Sequence, residues 1–186
     1  SEINSTELVA ILISQGNTIK EGIEYAQSKI KGSCSMLILT DHAIYAVRDK
    51  LGRTPIIIGR NDKGYVCASE SSSFDNLGYD YVKDLGPGEI VRMSADGLLQ
   101  VAEPQKRKQI CTFMWVYYGY PSACYEGINV EESRYRCGAA MAKRDKGLEI
   151  DFAAGIPDSG VGHAVGYSNE MGVPYKRPFV KYTPTW

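Results

Sequence analysis

The sequence carries no surplus of charge of either sign. Its 21 Lys and Arg stand against 22 Asp and Glu, a net charge of -1 over 186 residues. Neither a basic patch nor a basic tail is present, which excludes a dominant nucleic-acid or membrane-surface role. The one basic cluster, Lys106-Arg107-Lys108, follows Pro104 and reads as a solvated linker. No apolar run approaches the roughly 18–20 residues that cross a bilayer. The opening SEINSTELVA lacks a charged-then-apolar signal pattern, so the sequence predicts a cytoplasmic protein. Histidine is scarce. His42 and His163 are the only two, and without HExxH or Cys-His spacing no metal site is expected. The five cysteines (Cys34, Cys67, Cys111, Cys124, Cys137) are odd in number, widely spread and free of CxxC. That pattern fits reduced, packed thiols better than a disulfide framework or a zinc site. GxSxG and P-loop motifs are missing too. Ser1 as an N-terminal nucleophile would need its own α-amine as base and a strand to hold it. The polar SEINST lead-in to a helix is the wrong context for that.

What is present suffices for a packed core: 44% of residues are apolar and 23% charged. The length fits one ordinary domain or two small ones. Ser5 or Thr6 is placed to cap a helix running through Ser14, stopped by Gly16. Thr18 and Glu21 form a capping box ahead of Ile19, Ile23, Ala26 and Ile30 at helical spacing. Short β-rich runs follow at 34–39, 43–47, 55–58, 65–68, 79–82, 89–93 and 98–102, with a helical turn at 71–77 and a hairpin at Asp96-Gly97. Residues 1 to about 103 therefore read as two helices and an antiparallel meander. After the polar EPQKRKQ linker, 113–118 is an aromatic strand candidate and 130–146 a helix with acids first and bases last. A strand at 150–154, a loop, a helix at 161–171 and a strand at 179–181 make a βαβ unit, hence an α/β second part with a parallel sheet.

Two local patterns carry chemistry. GIPDSG at 155–160 ends a strand, turns on Gly and Pro, presents Asp158 and Ser159 and opens a helix. Free N–H groups and the dipole at a helix N-terminus suit an anion, and ligands of open α/β sheets sit at strand carboxyl ends. Gly160 and Gly162 allow close backbone approach. The alternative is that Asp158 or Ser159 simply caps the helix. The second pattern is VRDKLGRTPIIIG at 47–59, where a charged pair precedes a tight turn and an apolar strand. A hairpin alone has no need of Arg48 and Asp49.

Together the motifs resemble those of glutamine phosphoribosylpyrophosphate amidotransferase, or amidophosphoribosyltransferase, over nearly the whole chain. In family order they are Ser-Thr-Glu-Leu at 5–8, R-D-x-x-G-x-x-P at Arg48, Asp49, Gly52 and Pro55, and A-S-E-S at 68–71. Asp75, Gly78 and D-x-x-P-G-E at Asp84, Pro87, Gly88 and Glu89 come next. CTFMWVYY from Cys111 matches C-x-x-E-Y-V-Y-F, followed by GINV (127–130), Arg134, Gly138, GIPDSG and GVPY (172–175). The first of these charged motifs is shared across class II glutamine amidotransferases.

The resemblance implies an α+β part followed by an α/β part. Residues 1–105 would be the later part of an Ntn-hydrolase αββα glutaminase sandwich. Residues 109–186 would begin a type I phosphoribosyltransferase domain. It implies a parent enzyme that moves glutamine-derived ammonia to phosphoribosylpyrophosphate, giving phosphoribosylamine in purine synthesis. Ser5, Arg48, Asp49, Ser69 and Glu70 would support the glutamine pocket, with Arg48 and Asp49 tying their turn to the Ser69-Glu70 corner. Asp158, Ser159 and Gly160 would lie near the phosphoribosyl group and Lys181 near the pyrophosphate. Magnesium would accompany phosphoribosylpyrophosphate in the parent, and the expected assembly is a homo-oligomer. A cysteine at the place of Cys111 ligates a 4Fe–4S cluster in some members, but one thiolate cannot hold a cluster that takes four.

The departures from the family pattern bear on function. The family's catalytic N-terminal cysteine and its acidic phosphoribosylpyrophosphate loop have no counterpart in these residues, so the chain alone is expected to be inactive. Ser5 stands where the family has an Asp that contacts the glutamine amino group, and a hydroxyl cannot supply that ion pair. Y-F-A-R-P-D-S is here YYGYPSA, and K-N-R-Y-V-G is KYTPTW, with Lys181 retained. These changes also suit a non-catalytic paralogue that binds a nucleotide or phosphosugar. An asparagine synthetase relative would show S-G-G-x-D, which is missing.

Overall fold

The computed structural model describes residues 3–182, so Ser1 and the 183–186 end of the KYTPTW segment lie outside the described residues. The chain divides into two compact units, Ser1–Cys111 and Thr112–Trp186. No described helix is long and apolar enough to cross a membrane.

The first unit opens with α1 (Ser5–Ile13) and α2 (Ile19–Lys29). The α1 cap is Asn4, not the expected Ser5 or Thr6. Its extended backbone lets Oδ1 accept from the Glu7 N–H at 2.8 Å. Thr18 caps α2 as expected, accepting from the Glu21 N–H. The Glu21 carboxylate reaches back one residue further than a capping box requires, to the Asn17 N–H. Only α2 buries a face, through Gly22, Ile23, Ala26 and Gln27.

The strands are β1 (Met36–Leu39), β2 (Ile44–Val47), β3 (Ile57–Asn61), β4 (Gly64–Ala68), β5 (Asp80–Asp84), β6 (Ile90–Ser94) and β7 (Gly97–Ala102). A short helix, α3 (Ser72–Leu77), precedes β5. All pairings are antiparallel, but they do not form one meander. Two sheets result, ordered β1-β2-β6-β7 and β4-β3-β5. The local hairpins are those the turn residues predict, including Asp96-Gly97 with Gly97 at φ 125°. The non-local pairing of β2 with β6, Val47 opposite Ile90, is not predicted by them.

The reason for two sheets is in the burial. Ala46 and Val47 are neighbours on β2, point to opposite faces, and are both fully buried. Ala46 packs with Val91 and Met93 against Ile56, Ile58 and Leu85 from the segments of the second sheet. Val47 and Ile90 pack against Ile23 of α2. On β3, Gly59 approaches the buried Phe74 ring of α3 so closely that a Cβ would stand 3.1 Å from it. The layers are thus α2, sheet, sheet, α3.

The second unit departs furthest from the pattern expectations. Residues expected as a strand at 113–118 form instead a π turn at Met114–Tyr118. Trp115 is buried, donates Nε1–H to the Ile128 carbonyl at 3.1 Å and meets Tyr125 edge-on. A two-residue hairpin, β8 (Cys124–Tyr125) with β9 (Ile128–Asn129), leads into α4 (Val130–Arg144). Asn129 caps α4, accepting from the Glu132 N–H at 2.9 Å. The second long helix is α5 (Gly160–Met171). The expected strand at 150–154 reduces to one parallel bridge, Ala153 with Tyr175, and no strand forms at 179–181. The crossover is parallel as expected, but its return lies at Tyr175, directly after the Gly172 turn. Ala153 is held there by bonds from its N–H to Pro174 and from the Lys176 N–H to its carbonyl.

Two glycines let α4 and α5 touch backbone to backbone. A Cβ on Gly138 would collide with the His163 carbonyl, and one on Gly166 with the Tyr135 carbonyl. Neither obstacle is a flexible side-chain end, so the helices would have to separate. Gly138→Ala is therefore expected to destabilise this unit by about 2–3 kcal/mol, despite Ala's better helix propensity. Urea unfolding monitored by the buried Trp115 checks this, and unchanged stability would contradict the close approach.

Candidate functional site

Two places hold the site residues singled out from the sequence, one in each unit. The first is the turn after β2. Arg48 and Asp49 are each only 1% exposed. The Asp49 Oδ1 accepts from the N–H groups of Leu51 and Arg53, both at 3.1 Å. Its Oδ2 accepts from Thr54 N–H at 2.8 Å and Ser35 Oγ at 3.3 Å. Arg48 Nη1 donates to the Leu85 carbonyl, and Nη2 to the Gly52 carbonyl at 2.6 Å. Gly52 has φ 71°, and a Cβ there would press on Pro87 and on the Arg48 side chain. The charged pair thus winds one turn around a carboxylate and ties it to the end of β5. Burial pushes the Asp49 carboxyl pKa up, but the Thr54, Arg53 and Leu51 N–H bonds outweigh this, and the net shift is downward.

Ser69 is exposed, and Glu70 gathers the start of α3. Its Oε1 accepts from Ser72 Oγ at 2.5 Å and its carbonyl from Ser73 Oγ at 2.8 Å. Short serine side chains at a helix start compete for the nearer acceptor. Ser5 lies at a wide groove of about 880 Å³ between α1 and β1, lined by Val9, Ile13, Met36 and Ile38. Ser35 lines the same groove, and its hydroxyl bonds Asp49, which also lines a polar cavity of about 240 Å³ with Ser33, Arg53 and Cys111.

The second place is the loop 155–160 in the other unit. Neither Asp158 nor Ser159 caps α5; Ser159 has helical angles and its side chain makes no capping bond. The loop closes on itself through Gly160 N–H to the Ile156 carbonyl at 2.9 Å. A Cβ on Gly155 would collide with Gly160, so the loop needs glycine where its two ends cross. The Asp158 carboxylate is instead met by Lys181, Nζ to Oδ2 2.9 Å, with both side chains more than half exposed. The bond and charge of Asp158 raise the Lys181 pKa, with a smaller upward contribution from Tyr117. The structure thus brings Asp158, Ser159, Gly160 and Lys181 together at a helix N-terminus. Solvent-facing cation and backbone amides there suit a phosphate-bearing ligand.

Two buried charges escaped the search for site residues. Glu89, 1% exposed, accepts from Lys83, Gln100 and the Gly86 N–H. Arg134, 2% exposed, donates to three carbonyls of the π turn and the residue after it. A signal for Arg134 was present: it sits at fourfold spacing with Val130, Gly138 and Ala142 on the buried stripe of α4. Among the described residues no three His, Cys, Asp or Glu converge as metal ligands.

No protein-family model matches the chain. The chain is 36% identical to the amidophosphoribosyltransferase of Archaeoglobus fulgidus over 97% of its own length and 39% of that protein's. It is 31% identical to the Bacillus subtilis amidophosphoribosyltransferase over 96% of the chain and 38% of the relative. Solved structures agree. Glutamine phosphoribosylpyrophosphate amidotransferase from B. subtilis complexed with ADP and GMP superposes with a TM-score of 0.86 at 31% identity, covering 94% of this chain and 39% of that one. A structure described as the allosteric regulatory enzyme of purine biosynthesis superposes equally well at 29% identity, covering 100% of this chain and 42% of that one. The chain is thus similar over nearly all of its length to one segment of the amidophosphoribosyltransferases and spans about two fifths of the length of these relatives. The two antiparallel sheets between helical layers are those of an Ntn-hydrolase-type domain.

The Asp49 geometry sets a pH dependence. Its folded pKa lies below the unfolded value of about 3.9. Its stabilisation is therefore complete above the unfolded value and is lost as pH falls through the folded one. Asp49→Asn is expected to lower stability at neutral pH and to flatten its fall below about pH 4. Arg48→Ala is expected to cost about 3 kcal/mol, through carbonyls left buried and unpaired. Denaturant melts across pH decide both; an unshifted Arg48→Ala midpoint would contradict the turn's structural role.

Proposed function

We propose that the chain is a segment of an enzyme that transfers glutamine-derived ammonia to phosphoribosylpyrophosphate, giving phosphoribosylamine for purine synthesis. The observation that carries this reading is the cluster at the start of α5, where Lys181 returns to Asp158 beside Ser159 and Gly160. The similarity to amidophosphoribosyltransferases supports it. The backbone amide at Ser159 meets phosphate oxygens with the help of the helix dipole, while the Gly160 N–H stays bonded to the Ile156 carbonyl and holds the loop closed. Lys181 exchanges Asp158 for the pyrophosphate, and the freed carboxylate accepts from sugar hydroxyls. Magnesium arrives with the phosphosugar, since no metal-ligand group converges among the described residues.

In this reading residues 1–105 belong to the glutaminase part and 109–186 to the transferase part. Turnover is assigned to the whole protein of family length, and the 186-residue chain alone binds without it. Exposed Leu37 and Leu39 on β1 and Ile11 on α1 favour a homo-oligomer or a larger chain that covers them. A second reading, a nucleotide- or phosphosugar-binding paralogue without catalysis, is favoured by one observation. Ser5 has no charge to offer the amino group of glutamine.

Calorimetric titration with magnesium phosphoribosylpyrophosphate, AMP and glutamine tests both. Saturable phosphosugar binding that weakens about tenfold in Lys181→Ala is expected, the loss of one charge-assisted bond. Binding indifferent to Lys181 would overturn the site. Glutamine binding that appears only in Ser5→Asp would favour the second reading for the native chain.

A further inference from the structure

Arg134 has no place in the site as described, yet it is the most thoroughly buried cation of its unit, at 2% exposure. Its partners are not carboxylates. Nε donates to the Trp115 carbonyl at 2.8 Å, and Nη2 to the carbonyls of Tyr117 at 2.9 Å and Gly119 at 2.8 Å. These carbonyls belong to the end of the π turn, where no further turn supplies N–H donors. A guanidinium suits this end on two counts. Its planar fork reaches several acceptors at once, and its charge opposes the negative end of the aligned peptides. Lysine would carry the charge without the fork.

The π turn in turn touches the helix that follows the anion loop. The carbonyl of Val116, between two that Arg134 holds, faces His163 Nε2 at 3.2 Å in the second turn of α5. A carbonyl only accepts, so the imidazole carries its proton on Nε2. Val116 therefore meets the helix that follows Gly160, beside the loop whose Asp158 is gripped by Lys181.

We infer that Arg134 is a positioning residue for the phosphoribosyl-binding loop, acting through the π turn on His163 at the start of α5. The inference rests on the phosphosugar reading of that loop for its ligand, but the link from Arg134 to His163 stands on geometry alone. Removing the fork frees three carbonyls to turn elsewhere, and Val116 turns with them. His163 then loses its acceptor, and the start of α5, which carries Gly160, loses that anchor to the π turn.

The test uses the 186-residue chain labelled with ¹⁵N in histidine and arginine. With only two histidines, His42 in the other unit serves as the internal reference. Wild type is expected to show His163 as the Nε2–H tautomer and a slowly exchanging Arg134 Nε–H. In Arg134→Lys the His163 signals shift toward a tautomer mixture, and magnesium phosphoribosylpyrophosphate binds about tenfold more weakly, as when an outer partner of a binding group is removed. Ala142→Gly, a destabilising change on the same buried stripe but away from the π turn, moves neither signal. A lowered melting temperature in Arg134→Lys with His163 and the affinity unchanged would make Arg134 merely structural and overturn the inference. If Arg134→Lys does not fold, wild type decides: the Arg134 Nε–H resonance shifts on saturation with phosphosugar, or the inference fails. A wild type without the Nε2–H tautomer also overturns it. If wild type binds no phosphosugar, the functional reading fails separately, and the His163 response still decides the Arg134 link.

Discussion

A charge taken out of water must be met by hydrogen-bonding groups, and four side chains of this chain impose that condition on the backbone around them. Arg48, Asp49, Glu89 and Arg134 are all at most 2% exposed. Desolvation costs several kcal/mol per ion, while a hydrogen bond to a charged group returns about 1.5–3 kcal/mol. One bond each would leave a deficit, so each charge collects several. Asp49 takes three backbone N–H groups and a hydroxyl, which forces the chain to curl through residues 50–54. Glu89 takes Lys83, Gln100 and Gly86, joining β5, β7 and the turn between β5 and β6. The Arg48 N–H bonds the Glu89 carbonyl, so the two buried charges lie on facing strands. The crossing from one sheet to the other is fixed at the point where β2 ends and β6 begins.

Much of this architecture was legible from local signals. Thr18, Asp96-Gly97 and the Glu-rich first turn of α4 each marked its element because caps and turns depend on neighbours in sequence. The pairing of β2 with β6 was not legible, since alternation tells which face a residue takes but not which strand lies beside it. The π turn was misread for a clearer reason. MWVYY has the composition of a strand, but the one Arg134 fork holds the carbonyls of Trp115, Tyr117 and Gly119, which an extended strand would spread over roughly 13 Å. The tertiary requirement of one distant side chain overrode five residues of β-propensity. The strand expected at 150–154 met the opposite limit, with Pro174 and Lys176 its only backbone partners among the described residues.

The candidate site was legible in part and unevenly. GIPDSG announced a strand-to-helix loop, and the loop and Lys181 do come together. The roles within it were less legible, because Asp and Ser before a helix look alike whether they cap it or leave its amides free. The structure answers through Lys181: an Asp158 carboxylate turned to an ammonium 23 residues away is unavailable to the α5 amides. In the other unit, Arg48-Asp49 announced a specified corner, and the pair gathers the carbonyls and amides of its own turn. Ser5 lines the α1–β1 groove, and Ser35, which bonds Asp49, lines it too.

The two buried arginines share a logic that distinguishes them from Asp49. Both Arg48 and Arg134 donate to carbonyls, and both do so where the chain makes a non-repeating turn. A carbonyl cannot titrate, and neither can a guanidinium under ordinary conditions. Contacts of this kind hold their geometry at any pH the protein meets. A carboxylate held by amides keeps its geometry only while ionised. Lysine at either arginine would retain the charge and lose the planar reach, so several carbonyls could not be gathered by one side chain. The arrangement at 134 thus fixes a turn with a permanently charged, multidentate group, and leaves the titratable and exchangeable pair, Asp158 and Lys181, on the exposed surface. The charge-invariant contact and the exposed ion pair thus divide the work, the first fixing a turn and the second standing where solvent reaches it.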